Sequence, residues 1–398
     1  MTSLTENKDR LPAAARDASA NSEERLAWLA LALSPGLGPK RIVDAVRELG
    51  AASRILSLRL TELEGLRFPA AAAQFVFDGK ARAAAEAELA QVAAQGATVV
   101  SFACQEYPER LKEIYDPPPV LWVRGDARLL SRPAIAVVGT RHPTPYGSGI
   151  AEMLSRDLAA RRLLIVSGMA RGIDSCAHKG ALAARMPTIA VWGTGIDVVY
   201  PKENKKLAEE ILALGGAIVS EVQMGTFPAP QNFPRRNRIL SGLSVAVLVV
   251  EASENSGTRV TARCAAEQNR DLFAVPGNVT NMGSWTPIRL IKQWAKLVAT
   301  WEDVWEDLPS QVRLELDSLA PAESRSEMTA SLLPDPVLRP QEVMVLEVLR
   351  KDASLQIDEI LELLETQLTS SEVFTALFEL EITGRVRCMP GKNYVRTM

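Results

Sequence analysis

AIAVVG (134–139) runs into GSGIAEMLSRDLAA (147–160) and then into LLIVSG (163–168), and this triplet decides the fold. The two apolar runs are short, carry no charge and end on glycine. The segment between them spaces its apolar residues at helical intervals. Uncharged strands of this kind are buried on both faces, as in a parallel sheet covered by helices. The pattern repeats outward. A helix is expected from Ile173, then the strand TIAVWG (188–193), a helix over 203–213 and the strand AIVSE (217–221). SVAVLVV (244–250), a helix from about Thr258 and DLFAVPG (271–277) complete the series. Repeated β-α-β units connect by right-handed crossovers into a doubly wound parallel sheet. The expected fold class is therefore α/β, an extended Rossmann-like sheet over 101–306.

On either side the composition changes. Residues 24–100 are rich in Ala, Leu and Glu at helical spacing and read as a helical domain, preceded by a polar, disordered tail over 1–23. Within it LSPGLGPKRI (33–42) has the form of a helix-hairpin-helix, with turn amides, Lys40 and Arg41 open to a phosphate. An ordinary helical hairpin fits equally well, and the second candidate, LEGLRFPAA (63–71), is degenerate. The Pro-, Ser- and Ala-containing stretch 307–338 reads as a linker. Residues 339–398 offer three short helices and a hairpin around Pro390-Gly391, the order of a winged helix. Its third helix carries Glu372, Glu379 and Glu381 and no Lys or Arg, which suits a protein contact better than a DNA groove.

Several function classes are excluded. The 398 residues carry a net charge of -3, so attraction for nucleic acid has to be local. No apolar run reaches the length of a membrane span, and the N-terminus has no hydrophobic signal core. Four cysteines stand singly and only two histidines are present, so no metal site is expected and a reducing compartment is. GTG at 193–195 lacks the third glycine of a dinucleotide fingerprint, and there is no GxxxxGK[ST]; neither NAD nor a P-loop nucleotide is expected, and no cofactor is implied.

The chemistry concentrates in loops after strand ends, which in an open parallel sheet converge on one crevice. The first is Gly139-Thr140-Arg141. The second is SGMARGID (167–174), with Ser167, Gly168, Arg171 and Gly172 ahead of Asp174, the expected cap of the next helix. Lys202 follows Tyr200-Pro201. FPRRNRIL (233–240), read as a basic loop, places Arg235, Arg236, Asn237 and Arg238 in a stretch with no acid between Glu221 and Glu251. Ser256, Gly257 and Thr258 form a small-residue turn into a helix. Guanidiniums and amides around one crevice fit a chain of phosphates. A solvated loop whose arginines pair with carboxylates is the competing reading. Phe233 and Tyr200 are candidate stacking surfaces, with Phe233 equally suited to a core. His178, one turn after Asp174, is read as a structural contact to it rather than a general base, and His142 as facing solvent.

Taken in order, YPERLKEIYDPPPVLWVRGD (107–126), GTR (139–141), SGMARGIDSCAHKGAL (167–182), GTGIDVVYP (193–201), FPRRNRILSGLS (233–244), VVEASENSGTRVTARCAAE (249–267) and VPG (275–277) resemble the DNA-processing protein A family (DprA, also called Smf). The resemblance covers most of the chain. It implies a sterile-alpha-motif-like (SAM-like) N-terminal domain, an extended Rossmann-like domain and a winged helix. It also implies a cytoplasmic, non-enzymatic protein that binds and protects incoming single-stranded DNA, forms a homodimer and loads the RecA recombinase in natural transformation or recombination. Arg141 and Lys202 match DNA-contact positions of the family, and the FPRRNR arginines its basic pocket. At TPIRLIKQWA (286–295) the chain departs from the family's Gly-x-Asn-x-Leu-Ile stretch, with Thr286, Ile288 and Trp294 instead. The alternative from the residues is a nucleotide-handling enzyme of the same fold group, phosphoribohydrolase-like, using Glu221 or Asp174.

Overall fold

The computed structural model describes residues 13–254, 256–319, 339–349, 355–364, 367–382, 386–389 and 393–396. The chain divides into two compact units at residues 319/320.

A nine-stranded sheet organises the first unit: β1 (Ala97–Ser101), β2 (Val120–Gly125), β3 (Ala134–Val138), β4 (Leu164–Ser167), β5 (Thr188–Trp192), β6 (Ala217–Ser220), β7 (Ala246–Val249), β8 (Asp271–Ala274) and β9 (Lys296–Leu297). The order across the sheet is β1-β2-β6-β5-β4-β3-β7-β8-β9. From β6 to β9 every pairing is parallel, as expected for a doubly wound sheet. The chain lays β3 to β6 outward in one direction, then returns past β3 to begin β7 on its other side. The β3/β7 junction is therefore the switch point, where the loops that follow the two strands part and leave a crevice.

The antiparallel β1 and β2 were not anticipated. They extend the β6 edge and carry the helical region with them. Trp122 of β2 donates from Nε1 to Glu88 at 2.9 Å, and Trp28, Ile42, Leu63 and Val76 of the helices share one core with Val99, Trp122, Trp192 and Ile218. The N-terminal helices thus form one unit with the sheet rather than a free-standing domain. Their first helix, Ala13–Ala32, begins inside the stretch expected to be a tail, and the helix Ser310–Ser318 occupies the start of the expected linker. Val312 and Leu316 of that helix are buried with Ile135, Ile165 and Leu248 on the same face of the sheet as the N-terminal helices, which apolar spacing diluted by polar residues had concealed.

The second unit contains the helices Pro340–Val348, Ile357–Leu364 and Ser370–Ile382 and the antiparallel strands β10 (Leu355–Gln356), β11 (Val386–Met389) and β12 (Asn393–Arg396). Val345, Ile360, Val373, Leu377 and Val386 meet in its core. The Pro390-Gly391 turn lies outside the described residues. Among the described residues no helix is long and apolar enough to cross a membrane.

Candidate functional site

A crevice of about 670 Å³ opens at the β3/β7 switch point. Gly139, Thr140, Arg141 and His142 form its β3 side; Ser253, Ser256, Gly257, Thr258 and Thr261 form its β7 side. Phe233, Arg236 and Asn237 line it between Pro228, Pro230 and Tyr200, and Asp174 closes part of its base. Two helices, Ile173–Ala183 and Thr258–Glu267, begin at its wall. Of their first-turn amides, Ile173 donates to the Thr140 carbonyl, Thr258 to Ser256 Oγ, Arg259 to the Ser256 carbonyl and Val260 to the Gly257 carbonyl, so what the two starts offer an anion is the partial positive charge of a helix end.

The largest correction concerns FPRRNRIL. It is not a loop but the first two turns of the helix Asn232–Leu243. The helical turn sends its arginines in different directions. Arg236 is 5% exposed and points under the SGMARGID turn, where Nη1 donates to the Val191 carbonyl. Its Nε has no partner. Arg235 and Arg238 turn away from the crevice to Glu221, and Arg238 also meets Asp116 at 3.1 Å. Burial raises the Glu221 carboxyl above its ordinary range, and the two guanidiniums oppose that shift. Arg238 and Glu221 are thus a buried structural pair, the local alternative already open in the sequence.

The SGMARGID turn is built around Arg236. A Cβ on Gly168 would lie 2.6 Å from Cζ of Arg236, so only glycine lets the guanidinium in. Gly172 has φ +75°, and a Cβ there would meet the Thr140 carbonyl and Pro143. Asp174 does not cap its own helix. Its Oδ2 accepts from the amides of Gly168 at 3.2 Å and Ala170 at 3.3 Å, holding the turn from below. Burial raises its carboxyl, opposed first by the charge of Arg236. Burial likewise pulls Arg236 down to about 10, against the Asp174 carboxylate, with the like charge of Arg141 adding to the fall. Arg236 is still a cation at neutral pH.

His178 does not touch Asp174. Its Nδ1 lies 2.9 Å from Thr188 Oγ1, whose hydroxyl donates to the Ile165 carbonyl. The single hydroxyl proton is engaged there, so Nδ1 carries the imidazole proton and Nε2 is a bare, unpartnered acceptor. Ser167 Oγ donates to the Val137 carbonyl across the sheet. Both residues are structural.

Of the remaining expected residues, Arg141 is exposed, with its Cζ 5.8 Å from the centre of the Phe233 ring. Phe233 in turn lies 5.5 Å from Tyr200. Arg171 lines a small recess beside the crevice and is paired with Glu203. Lys202 is exposed in the short 3-10 helix Lys202–Asn204 and is not among the residues lining the crevice. Asn237 reaches the Gly257 carbonyl at 3.4 Å, and the Ser256 hydroxyl donates to Thr258 Oγ1 at 2.9 Å. Glu251 accepts from the amide and hydroxyl of Thr144 at 2.9 and 2.6 Å and so braces the start of the helix Pro145–Ala160.

Residues 98–309 match the family described as DNA recombination-mediator protein A, and residues 329–392 the DprA winged helix domain. The chain belongs to the DNA recombination-mediator protein A family. It is 40% identical over 293 residues to Protein Smf of Escherichia coli K12, covering 73% of this chain and 75% of that one. It is 42% identical over 224 residues to the DNA processing protein DprA of Bacillus subtilis, covering 56% and 75%. The solved structure of DNA processing protein A from Streptococcus pneumoniae superposes with a TM-score of 0.63 at 32% identity, over 72% of this chain and 98% of that one.

The crevice residues that sequence reasoning missed are Pro228, Pro230, Ser253, Thr261 and His142, the last read only as facing solvent. Thr261 lies three residues after Thr258, so helical spacing could have placed it on the same face. The prolines sit in the acid-free gap with no periodicity to mark them.

Proposed function

We propose that the switch-point crevice binds the sugar-phosphate chain of single-stranded DNA, with Arg141 and Arg236 as its cations and Tyr200 and Phe233 as its stacking surface. One observation carries this reading. Two helix starts, the exposed Arg141 and the buried Arg236 converge on one open crevice with an aromatic wall. Such a surface offers donors to phosphates and flat faces to bases without reading base edges, and so suits strands of any sequence. Arg235 and Arg238 are not needed, since both are engaged by Glu221.

The enzyme reading loses its candidates. Glu221 sits in an ion pair away from the crevice, and Asp174 is engaged by two amides. We therefore read the protein as non-enzymatic. Family membership supports the further reading that it acts in the cytoplasm as a homodimer and passes its strand to RecA.

The test is fluorescence anisotropy with labelled oligonucleotides of mixed and homopolymeric sequence across a salt series. Arg141→Ala is expected to weaken all of them alike and to flatten the salt dependence by about 0.7 in log-log slope, one phosphate contact on a single strand. Unchanged affinity and slope would overturn the assignment.

A further inference from the structure

The helix Ser370–Ile382 occupies the place where a winged helix commonly presents its reading helix, and it has three distinct faces. Val373, Ala376, Leu377 and Leu380 are buried in the domain core. Glu372, Thr375 and Glu379 line a cleft beside the helix Pro340–Val348, where Arg339 pairs with Glu379 at 3.3 Å. The third face holds Phe374 and Phe378, one turn apart, and is carried on to Glu381. Phe374 is 50% exposed and Phe378 63%. Two phenylalanines four residues apart form a contiguous apolar ridge. On a surface helix this position is ordinarily polar, because the core has already taken the opposite face.

The ridge helix and the helix before it are acidic in composition. Ile357–Leu364 and Ser370–Ile382 together carry Asp358, Glu359, Glu362, Glu372, Glu379 and Glu381 and neither Lys nor Arg. A DNA groove would meet this helix with like charge. A protein surface that combines apolar pockets with Lys and Arg would meet it with both complements, since aromatic anchors supply affinity and the charged surround supplies partner choice.

We propose that this ridge is a docking surface for a basic amphipathic segment of another protein, with Phe374 and Phe378 as its anchors. The winged helix is then the arm that recruits a protein, separate from the crevice that holds the strand.

The test uses the full chain and two labelled synthetic peptides of about 20 residues, long enough for a stable helix. Both have the same apolar face; one has a Lys/Arg polar face and the other a Glu polar face. The basic peptide is expected to bind, less tightly as salt rises, and the acidic one not to bind. In Phe374→Ala/Phe378→Ala the basic peptide should bind at least about thirtyfold more weakly, as for loss of a central aromatic anchor. Both side chains are exposed, so the variant should keep its circular dichroism melt and its oligonucleotide affinity. Kept oligonucleotide affinity separates failure here from failure of the crevice assignment. Equal binding of both peptides, binding of neither, or full binding by the double variant would overturn the proposal. So would duplex DNA binding or self-association of the chain that disappears in the double variant.

Discussion

His178 makes the first unit sensitive to acid, by an amount that follows from its surroundings. Burial, with the nearby charge of Arg236, pulls its imidazole from an ordinary 6.5 to about 3. The folded chain therefore binds fewer protons here than the unfolded chain. The stabilisation is fully present above 6.5, is lost as pH falls below it, and levels off only near the folded value. Between about pH 7 and about pH 5 the loss from this one group is about 2 kcal/mol, since each pH unit below the unfolded value contributes about 1.4 kcal/mol. His178→Asn is the matching perturbation. Its amide nitrogen can replace Nδ1 as donor to Thr188, and it does not titrate. The variant should be less stable at every pH, because it leaves space in a packed interior, but its stability should fall less on acidification. The assay is urea unfolding of the full chain at the two pH values, followed by hydrogen-exchange protection of the β5 amides. Asp174, whose raised carboxyl acts with the opposite sign and stabilises as pH falls, is present in both proteins and cancels in the comparison. Parallel pH profiles for the unaltered chain and His178→Asn would refute the reasoning.

Other predictions follow from single contacts. Gly168→Ala should push the Arg236 guanidinium out of its seat, costing about 1–3 kcal/mol by overpacking and weakening oligonucleotide binding; differential scanning fluorimetry and anisotropy read the two effects. Arg238→Ala should destabilise the fold by about 3–5 kcal/mol, because Glu221 keeps a buried carboxylate with only Arg235 beside it. Denaturant titration measures that loss, and the folded variant should keep its oligonucleotide affinity. Thr144→Ala should cost about 2–4 kcal/mol through its lost helix cap and the donor taken from the buried Glu251 carboxylate, visible as a lowered melting midpoint.

The alternation of apolar runs with helical segments was enough to give the parallel strands β3 to β8, because strands buried on both faces have to be continuously apolar. β1 and β2 escaped because Ala97–Ser101 follows an alanine-rich helix with only Gly96 as a turn signal between them, and because Val120–Gly125 reads as part of a proline-rich segment. Their role as the platform for the N-terminal helices depends on contacts such as Trp122 to Glu88, distant in sequence. The crevice was legible at Gly139, Arg141 and Ser256–Thr258, where position after a strand end already implies convergence. It was not legible in FPRRNRIL. Proline in the first turn suits a helix start as well as a loop, and the charge pattern alone could not separate the two.

The sequence by itself determined that three arginines crowd a stretch without acids beside the sheet. Only the tertiary structure decided their fates. A helix turns successive residues by about 100°, so neighbours in sequence face different surroundings. Arg236 enters the turn that Gly168 leaves open, while Arg235 and Arg238 swing to Glu221, whose place at the end of β6 is set by sheet order. Local charge is a property of composition. Which charge faces the crevice depends on helical phase and on which distant carboxylate the fold brings near.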